Sequence, residues 1–397
     1  MISNNTLLSN VLVGRLNPKD WPINLADLPK GSALVGGSIR DGLLNKLNKK
    51  PDLDFVIPKN AIKFSENLAR KINANFIKLD KKRDIARLVV NGWTLDFASQ
   101  VGQNLEDDLY RRDYRINAIA LRLAGNPEIF DPTGGINDLK RNKIVAIAEK
   151  NLIDDPLRIL RGFRLMCELN FDLDKKTKAF LKTNIKLLNN VAPERIKNEV
   201  IKIVNSKWNS LVWETYLELQ LLKNWHEGEI SYIELKRKYI DSGEALLGLS
   251  LAKLICLLSD RGLSRLKFSK NQIKRCKNLR FWVYKINSLG IENLSEDERF
   301  QLHIELGEDL PSLILFLSDK YIDEWLNRWK DSSDPLFHPS SPLDGYSLQQ
   351  VFNIPPGPSL GRLMRHLAKE KAFGRFFTNQ EALEVARKWT LENSPLL

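Results

Sequence analysis

Cysteine is scarce in this chain, and what there is cannot build a covalent framework. Cys167, Cys256 and Cys276 are the only three in 397 residues, too few and too scattered for disulfides or a zinc cluster, which leaves them as small buried hydrophobes. The four histidines, His226, His303, His338 and His366, show no ligand spacing, and none offers itself as a catalytic base. Long apolar runs are missing too: no stretch approaches the roughly 18 residues a spanning helix needs. Met1-Ile2-Ser3-Asn4-Asn5 does not read as a charged segment leading into an apolar one. A cytoplasmic protein with no membrane partner is expected. Neither a fixed-period repeat nor a low-complexity segment is present.

Acidic residues are absent from one window. Residues 261–285 hold nine Lys or Arg and no Asp or Glu, most of the excess behind a net charge of +12. Within it Lys270, Lys274 and Lys277 fall at i, i+4 and i+7, one face of a helix. Together with Arg265 they predict a contact with a polyphosphate backbone, RNA above all. The competing reading is a solvated helix with no ligand. Phe268, Phe281, Trp282 and Tyr284 lie in or beside this window and are read as core rather than as stacking platforms.

What is present is a chain long enough for two or more domains, with a 43% hydrophobic content that makes it globular. Up to about Ala124, strands are predicted over 33–35, 53–57, 76–79, 85–90 and 93–98, and helices over 38–47 and 61–72. Asn91-Gly92 supplies a two-residue hairpin turn between two of the strands. From Asp154 onward almost only helical periodicity follows, and the Pro/Ser-rich stretch from Asp331 to Pro342 marks a boundary within it.

The chemistry concentrates around Asp52 and Asp54. In a strand these two point to the same face while Leu53 points away, and two hard oxygen ligands on one face suit Mg²⁺. Upstream, Ala33-Leu34-Val35 stops at Gly36-Gly37, where backbone amides can approach a polyphosphate without Cβ interference. Asp96, on the hairpin strand expected to neighbour the Asp52/Asp54 strand, offers a third carboxylate. Either half alone is weak, since a solvated aspartate pair or a tight glycine turn would explain it. The order strand, Gly-Gly, helix, strand with paired aspartates is far more specific.

Further blocks follow: Arg111-Arg112-Asp113-Tyr114-Arg115-Ile116-Asn117-Ala118, Asp131-Pro132-Thr133-Gly134-Gly135, Asp154-Asp155-Pro156-Leu157-Arg158 with Arg161, and Pro193-Glu194-Arg195. In this order the blocks resemble the class II tRNA nucleotidyltransferase and bacterial poly(A) polymerase family over residues 31 to about 204, and Pro355-Pro356-Gly357-Pro358 is a weaker likeness to its helical end. The resemblance implies an α+β protein: a small mixed-sheet nucleotidyltransferase head at 1–140, then an all-α remainder with a neck at 141–205, a body at 206–330 and a tail at 331–397. It implies that Asp52 and Asp54 hold Mg²⁺, with Asp96 as third catalytic carboxylate, while an RNA 3′-hydroxyl attacks the α-phosphate and pyrophosphate leaves. Gly36, Gly37, Ser38 and Arg40 would face the triphosphate, and Arg112, Asp113 and Asn117 the ribose and triphosphate. Asp155 and Arg158, three apart on one helix face, would read the amino group of C or A, with Arg161 also at the nucleotide. Glu194 and Arg195 would brace that helix. Tyr114 and Arg115 stand where the family usually has Phe and Thr, and Asp154 where it commonly has Glu.

The expected partners are the tRNA 3′ end, CTP and, in part of the family, ATP. The family divides into CCA, CC and A adders and poly(A) polymerases. Only 14 residues separate Asp96 from Arg111, and the longer mobile connection linked in this family to the switch from C to A is missing. That departure resembles the CC-adding branch. Full CCA addition, A addition and poly(A) synthesis are the alternatives. A noncatalytic RNA-binding protein on a worn scaffold would have lost the carboxylates, which all remain.

Overall fold

The computed structural model describes residues 4–123, 125–226 and 246–393. The chain divides into two compact units, Met1–Leu221 and Leu222–Leu397.

The first unit opens with helix α1 (Asn4–Leu16) and is organised by one mixed sheet: β1 (Ala33–Val35), β2 (Leu53–Ile57), β3 (Asn75–Asp80), β4 (Ile85–Val90), β5 (Trp93–Ser99), β6 (Ala120–Arg122) and β7 (Glu128–Phe130). The seven strands run in the order β3-β4-β5-β2-β1-β6-β7. All pairings are antiparallel except β2 with β5. That parallel register sets Asp54 directly beside Asp96. Strand periodicity then separates two faces. Leu53, Phe55, Ile57, Leu95 and Phe97 are buried on one, where the Phe55 and Phe97 rings stack at 5.0 Å and Trp21 and Phe64 close edge-on around them. The other face carries Asp54 and Asp96, bordered by a small apolar cluster of Ala33, Val35, Val56, Leu109, Ala118 and Ala120.

Asn91 and Gly92 both have positive φ, 49° and 77°, the two-residue turn whose twist suits a hairpin. Helix α2 (Gly37–Leu43) is shorter than the predicted 38–47 because Asn45 turns left-handed at φ 57° and ends it. Helix α3 (Ala61–Ile72) matches its predicted bounds; the amides of Ala61 and Ile62 donate to the Asp84 carboxylate at 2.8 and 3.0 Å. Helix α1 and the three-residue strands β6 and β7 are additions to the sequence reading.

Helices α4 (Leu105–Tyr110), α5 (Gly135–Lys140), α6 (Glu149–Asp154), α7 (Leu157–Leu169), α8 (Lys175–Asn184), α9 (Pro193–Asn205) and α10 (Ser210–Leu219) complete the unit. Two corrections belong here. A two-residue parallel pair, β8 (Lys143–Ile144) with β9 (Asp172–Leu173), interrupts the expected all-helical run. Asp155 does not share a helix with Arg158: it sits in extended backbone, φ −138° and ψ 91°, between α6 and α7. Pro156 is the reason, since its ring excludes helical geometry at the preceding residue. The rings of Phe163, Trp208, Trp213 and Tyr216 pack in edge-to-face and tilted contacts that join α7 to α10.

The described residues of the second unit are helical, including the helices Leu246–Leu257, Lys270–Leu289, Glu296–Leu306 and Pro358–Ala372. Residues between Leu343 and Ala386 gather a hydrophobic cluster of their own. All three cysteines are free and buried. Among the described residues no helix is long and apolar enough to cross a membrane.

Candidate active site

A cavity of about 600 Å³ opens in the first unit over the polar sheet face, the size of a small-molecule site. Gly36, Gly37, Arg40, Asp52, Asp54, Arg112, Asp113, Asn117, Arg158 and Arg161 all line it. Sequence positions as far apart as 36 and 161 therefore converge. Ser38, Asp96 and Asp155 do not line it, and Ser38 is buried with no hydrogen-bond partner for its Oγ.

The glycine turn has a geometric cause. Gly36 has φ 80°, and a Cβ there would stand 3.0 Å from Asp54 Oδ2, so a side chain would be strained and would crowd the carboxylate. Asp52 lies exposed just before β2, whereas Asp54 is half-buried within the strand. Burial, with Asp96 and Asp52 close by, pushes Asp54 up to about 6 against the opposing pull of Arg112 and Arg161. A carboxylate held that high is short of positive charge at its own oxygens. The pair thus fits a divalent cation, which would restore the ionised form and complete its shell from substrate oxygens.

A polar chain supports the cavity wall. Arg40 grips Asp41 through Nε and Nη2 at 2.8 and 3.0 Å and donates from Nη1 to Asn117 Oδ1 at 2.8 Å. Asn117 Nδ2 in turn donates to Asp113 at 3.4 Å, and Asp113 pairs with Arg161 at 3.1 Å. Burial pushes Asp113 up, but Arg161 and the Tyr114 amide outweigh it and hold the carboxyl below its usual range. Arg112 pairs with Asp108 at 3.0 Å. Each guanidinium is thereby braced from within the protein while reaching the cavity.

Arg158 Nη1 donates to the Arg111 and Asn151 carbonyls at 2.7 and 3.1 Å. Burial lowers its pKa, with Asp113 and Asp155 opposing. Asp155 pairs with Arg195 of α9, both carboxylate oxygens accepting from Nη2 at 3.1 and 3.0 Å, so Arg195 does brace this segment. Tyr114 is fully buried and its hydroxyl donates to the Arg158 carbonyl at 2.8 Å.

Other lining residues escaped the sequence reading, among them Arg83, Arg87, Arg164, Glu199 and Lys202. Arg87 is the one with a readable signal. A two-residue turn at Asn91-Gly92 pairs Val90 with Trp93, and counting back along the strands sets Arg87 opposite Asp96. Its guanidinium forks onto both Asp96 oxygens at 2.7 Å each. Across the whole cavity Arg and Lys outnumber Asp and Glu by nine to five, which favours a polyanionic ligand.

Of the residues expected to contact RNA, Lys270, Lys274 and Lys277 are exposed on the helix Lys270–Leu289, and exposed Arg265 donates to the Asn224 carbonyl at 2.9 Å. Phe268 and Trp282 are core as expected, but Phe281 and Tyr284 are not: they are 52% and 74% exposed, because they continue the lysine face rather than the inner one.

Residues 32–145 match the model of the poly(A) polymerase head domain, and residues 170–228 that of the probable RNA- and SrmB-binding site of polymerase A. The CC-adding tRNA nucleotidyltransferase of Synechocystis sp. is 30% identical over 92% of this chain and 95% of its own. The A-adding tRNA nucleotidyltransferase of Deinococcus radiodurans is 26% identical over 93% and 98%. The Thermotoga maritima CCA-adding enzyme, solved in complex with tRNA, shares the fold with a TM-score of 0.74 at 21% identity, over 96% of this chain and 98% of that one. Motif order, sheet register, the convergence of those motifs on one cavity and full-length likeness agree: the chain belongs to the tRNA nucleotidyltransferase family, template-independent enzymes built on a poly(A) polymerase head.

Proposed function

We propose that this protein adds cytidines to the tRNA 3′ end, building the CC of CCA and leaving the terminal adenosine to another enzyme. The observation that carries the CC reading is the connection between Asp96 and Arg111. Strand β5 runs to Ser99, a short turn leads to Asn104, and a capping box between Asn104 and Asp107 starts α4 at once. A segment spent this way on a turn and a capped helix has no length for a mobile loop. The Synechocystis relative points the same way, while the A-adding relative shows that overall likeness alone does not select the base.

In this reading Asp52 and Asp54 would hold Mg²⁺, whose positive charge would lower the pKa of the tRNA 3′-hydroxyl and offset the charge of the departing pyrophosphate. The chain's own part is positioning and electrostatics. Gly36 and Gly37 allow close approach of the triphosphate, Arg40 and Arg112 meet its oxygens, and Asn117 and Asp113 set the angle of Arg40 and Arg161. Arg158, anchored by two backbone carbonyls, reads the ring acceptors of cytosine, and Asp155 reads its exocyclic amino group once it turns from Arg195 into the cavity it does not line here. The tRNA is engaged by Arg265, Lys270, Lys274 and Lys277, extended along the same helix face by Phe281 and Tyr284.

The test supplies CTP or ATP separately, with Mg²⁺, to tRNA lacking its 3′ end and to tRNA ending in CC. Two cytidines on the first substrate and no adenosine on the second are expected. Adenosine on the CC-ending tRNA would refute CC-only addition, and long adenosine tails on unrelated RNA would indicate a poly(A) polymerase. Asp52→Ala should abolish transfer while leaving tRNA binding largely intact; retained turnover would remove the metal role.

A further inference from the structure

Three carboxylates approach one another on the polar sheet face, yet they are not equivalent. Asp54 and Asp96 are paired in parallel register, and Asp52 lies just before the strand that carries Asp54. Asp96 alone has a cation fixed to it: Arg87 Nε meets Oδ1 and Arg87 Nη2 meets Oδ2, each at 2.7 Å. This fork is the strongest geometry a carboxylate can offer a guanidinium. It is partly buried, with side chains 39% and 22% exposed, so solvent only partly weakens it. Arg87 lines the cavity and Asp96 does not. The hairpin register sets Arg87 opposite Asp96, which brings its guanidinium within reach of the carboxylate.

We propose that Arg87 is a positioning residue that withholds Asp96 from the metal pair, so that this chain gathers divalent cations with Asp52 and Asp54 and not with three carboxylates. The inference rests on the metal role assigned above to Asp52 and Asp54. For Asp96 to turn toward a cation it would forfeit two charge-assisted hydrogen bonds and leave a guanidinium without its partner. Arg87 also cancels one of three negative charges crowded on this face, which lowers their pull on a cation. Removing Arg87 therefore does two things at once: it frees a third ligand and raises the local negative charge.

Mn²⁺ titrations of the full-length protein, without nucleotide or tRNA and read by the EPR signal of the free ion, separate the possibilities. Asp52→Asn and Asp54→Asn should each weaken binding by about tenfold or more. Asp96→Asn should weaken it only slightly, because it removes no ligand and merely leaves the Arg87 charge uncompensated. Arg87→Gln should tighten it by about tenfold, and the double variant Arg87→Gln with Asp96→Asn should return to the wild-type affinity. Arg87→Lys, which keeps the charge and loses the fork, should fall between wild type and Arg87→Gln; it carries the test if far-UV CD shows that the Gln variant does not fold. Asp96→Asn weakening binding as much as Asp54→Asn, or Arg87 variants leaving affinity unchanged, would overturn the inference. Asp52→Asn and Asp54→Asn without effect would instead overturn the metal reading on which it rests.

Discussion

A single carboxylate, Asp54, links the site's electrostatics to the stability of the whole head. Its pKa is raised from 3.8 to about 6 by burial and by Asp96 and Asp52. The native state therefore binds more protons than the unfolded chain between pH about 4 and 6, so stability falls as pH rises through that window and stays low above it. The loss is at most roughly 2–3 kcal/mol, since one pKa unit is worth about 1.4 kcal/mol. Asp54→Asn removes it: in chelator, the variant should melt higher than wild type at pH 7 and equally at pH 4. Added Mg²⁺ should then stabilise wild type and not the variant. Parallel melting curves for the two proteins across pH 4–7 would show that Asp54 carries no such strain. The aspartate pair and its face were legible in the sequence because strand alternation is strict. The direct pairing of Asp54 with Asp96 was expected only as neighbourhood, because parallel register depends on a crossover whose geometry local sequence does not encode.

At the scale of elements, the segment carrying Arg112 to Asn117 is keyed into α7 by the Asp113–Arg161 pair, by the Tyr114 hydroxyl on the Arg158 carbonyl and by a close fit of the Tyr114 ring against Gly162. A Cβ at Gly162 would fall 2.0 Å from Tyr114 Oη and 2.6 Å from Cζ, so the tyrosine that stands where the family has phenylalanine occupies the room this glycine leaves. Gly162→Ala should cost about 1–3 kcal/mol by overpacking. Tyr114→Phe in the same chain should recover part of that and not all, because the ring carbon still intrudes; denaturant unfolding of the two single variants and the double would read the coupling. Full additivity would mean that the helix shifts and the contact is not specific. Most elements were readable where a local device declares them: Asn91-Gly92 for the hairpin, period-2 alternation in 85–90, an apolar stripe in 61–72. The break at Asp155 was readable in principle from Pro156 and was overridden by the helical spacing of Asp155 and Arg158. Strands β6 and β7 were not, since three residues are too few to show a period, and the pairing of β6 to β1 and of β7 to β6 is set by tertiary packing.

At the scale of the molecule, two kinds of positive charge do different work. Several cavity arginines are tied to internal acids, as Arg112 is to Asp108 and Arg161 to Asp113, a form suited to a ligand of fixed geometry. Lys270, Lys274 and Lys277 stand exposed along one helix face, a form suited to a phosphate backbone that need not be held in one pose. If each lysine displaces about one counterion from tRNA, converting all three to Ala should lower the slope of log affinity against log salt by about 2–3. Under saturating tRNA the rate of cytidine incorporation should stay near wild type, because the reacting groups lie in the other unit, while KM for tRNA rises. Phe281→Ala with Tyr284→Ala makes the complementary test. Stacking contributes about 1–3 kcal/mol per base without releasing counterions, so that pair should weaken tRNA binding at every salt concentration and leave the slope alone. A slope unchanged by the lysine substitutions would return this helix to an ordinary solvated face and move the search for the tRNA contact elsewhere on the chain.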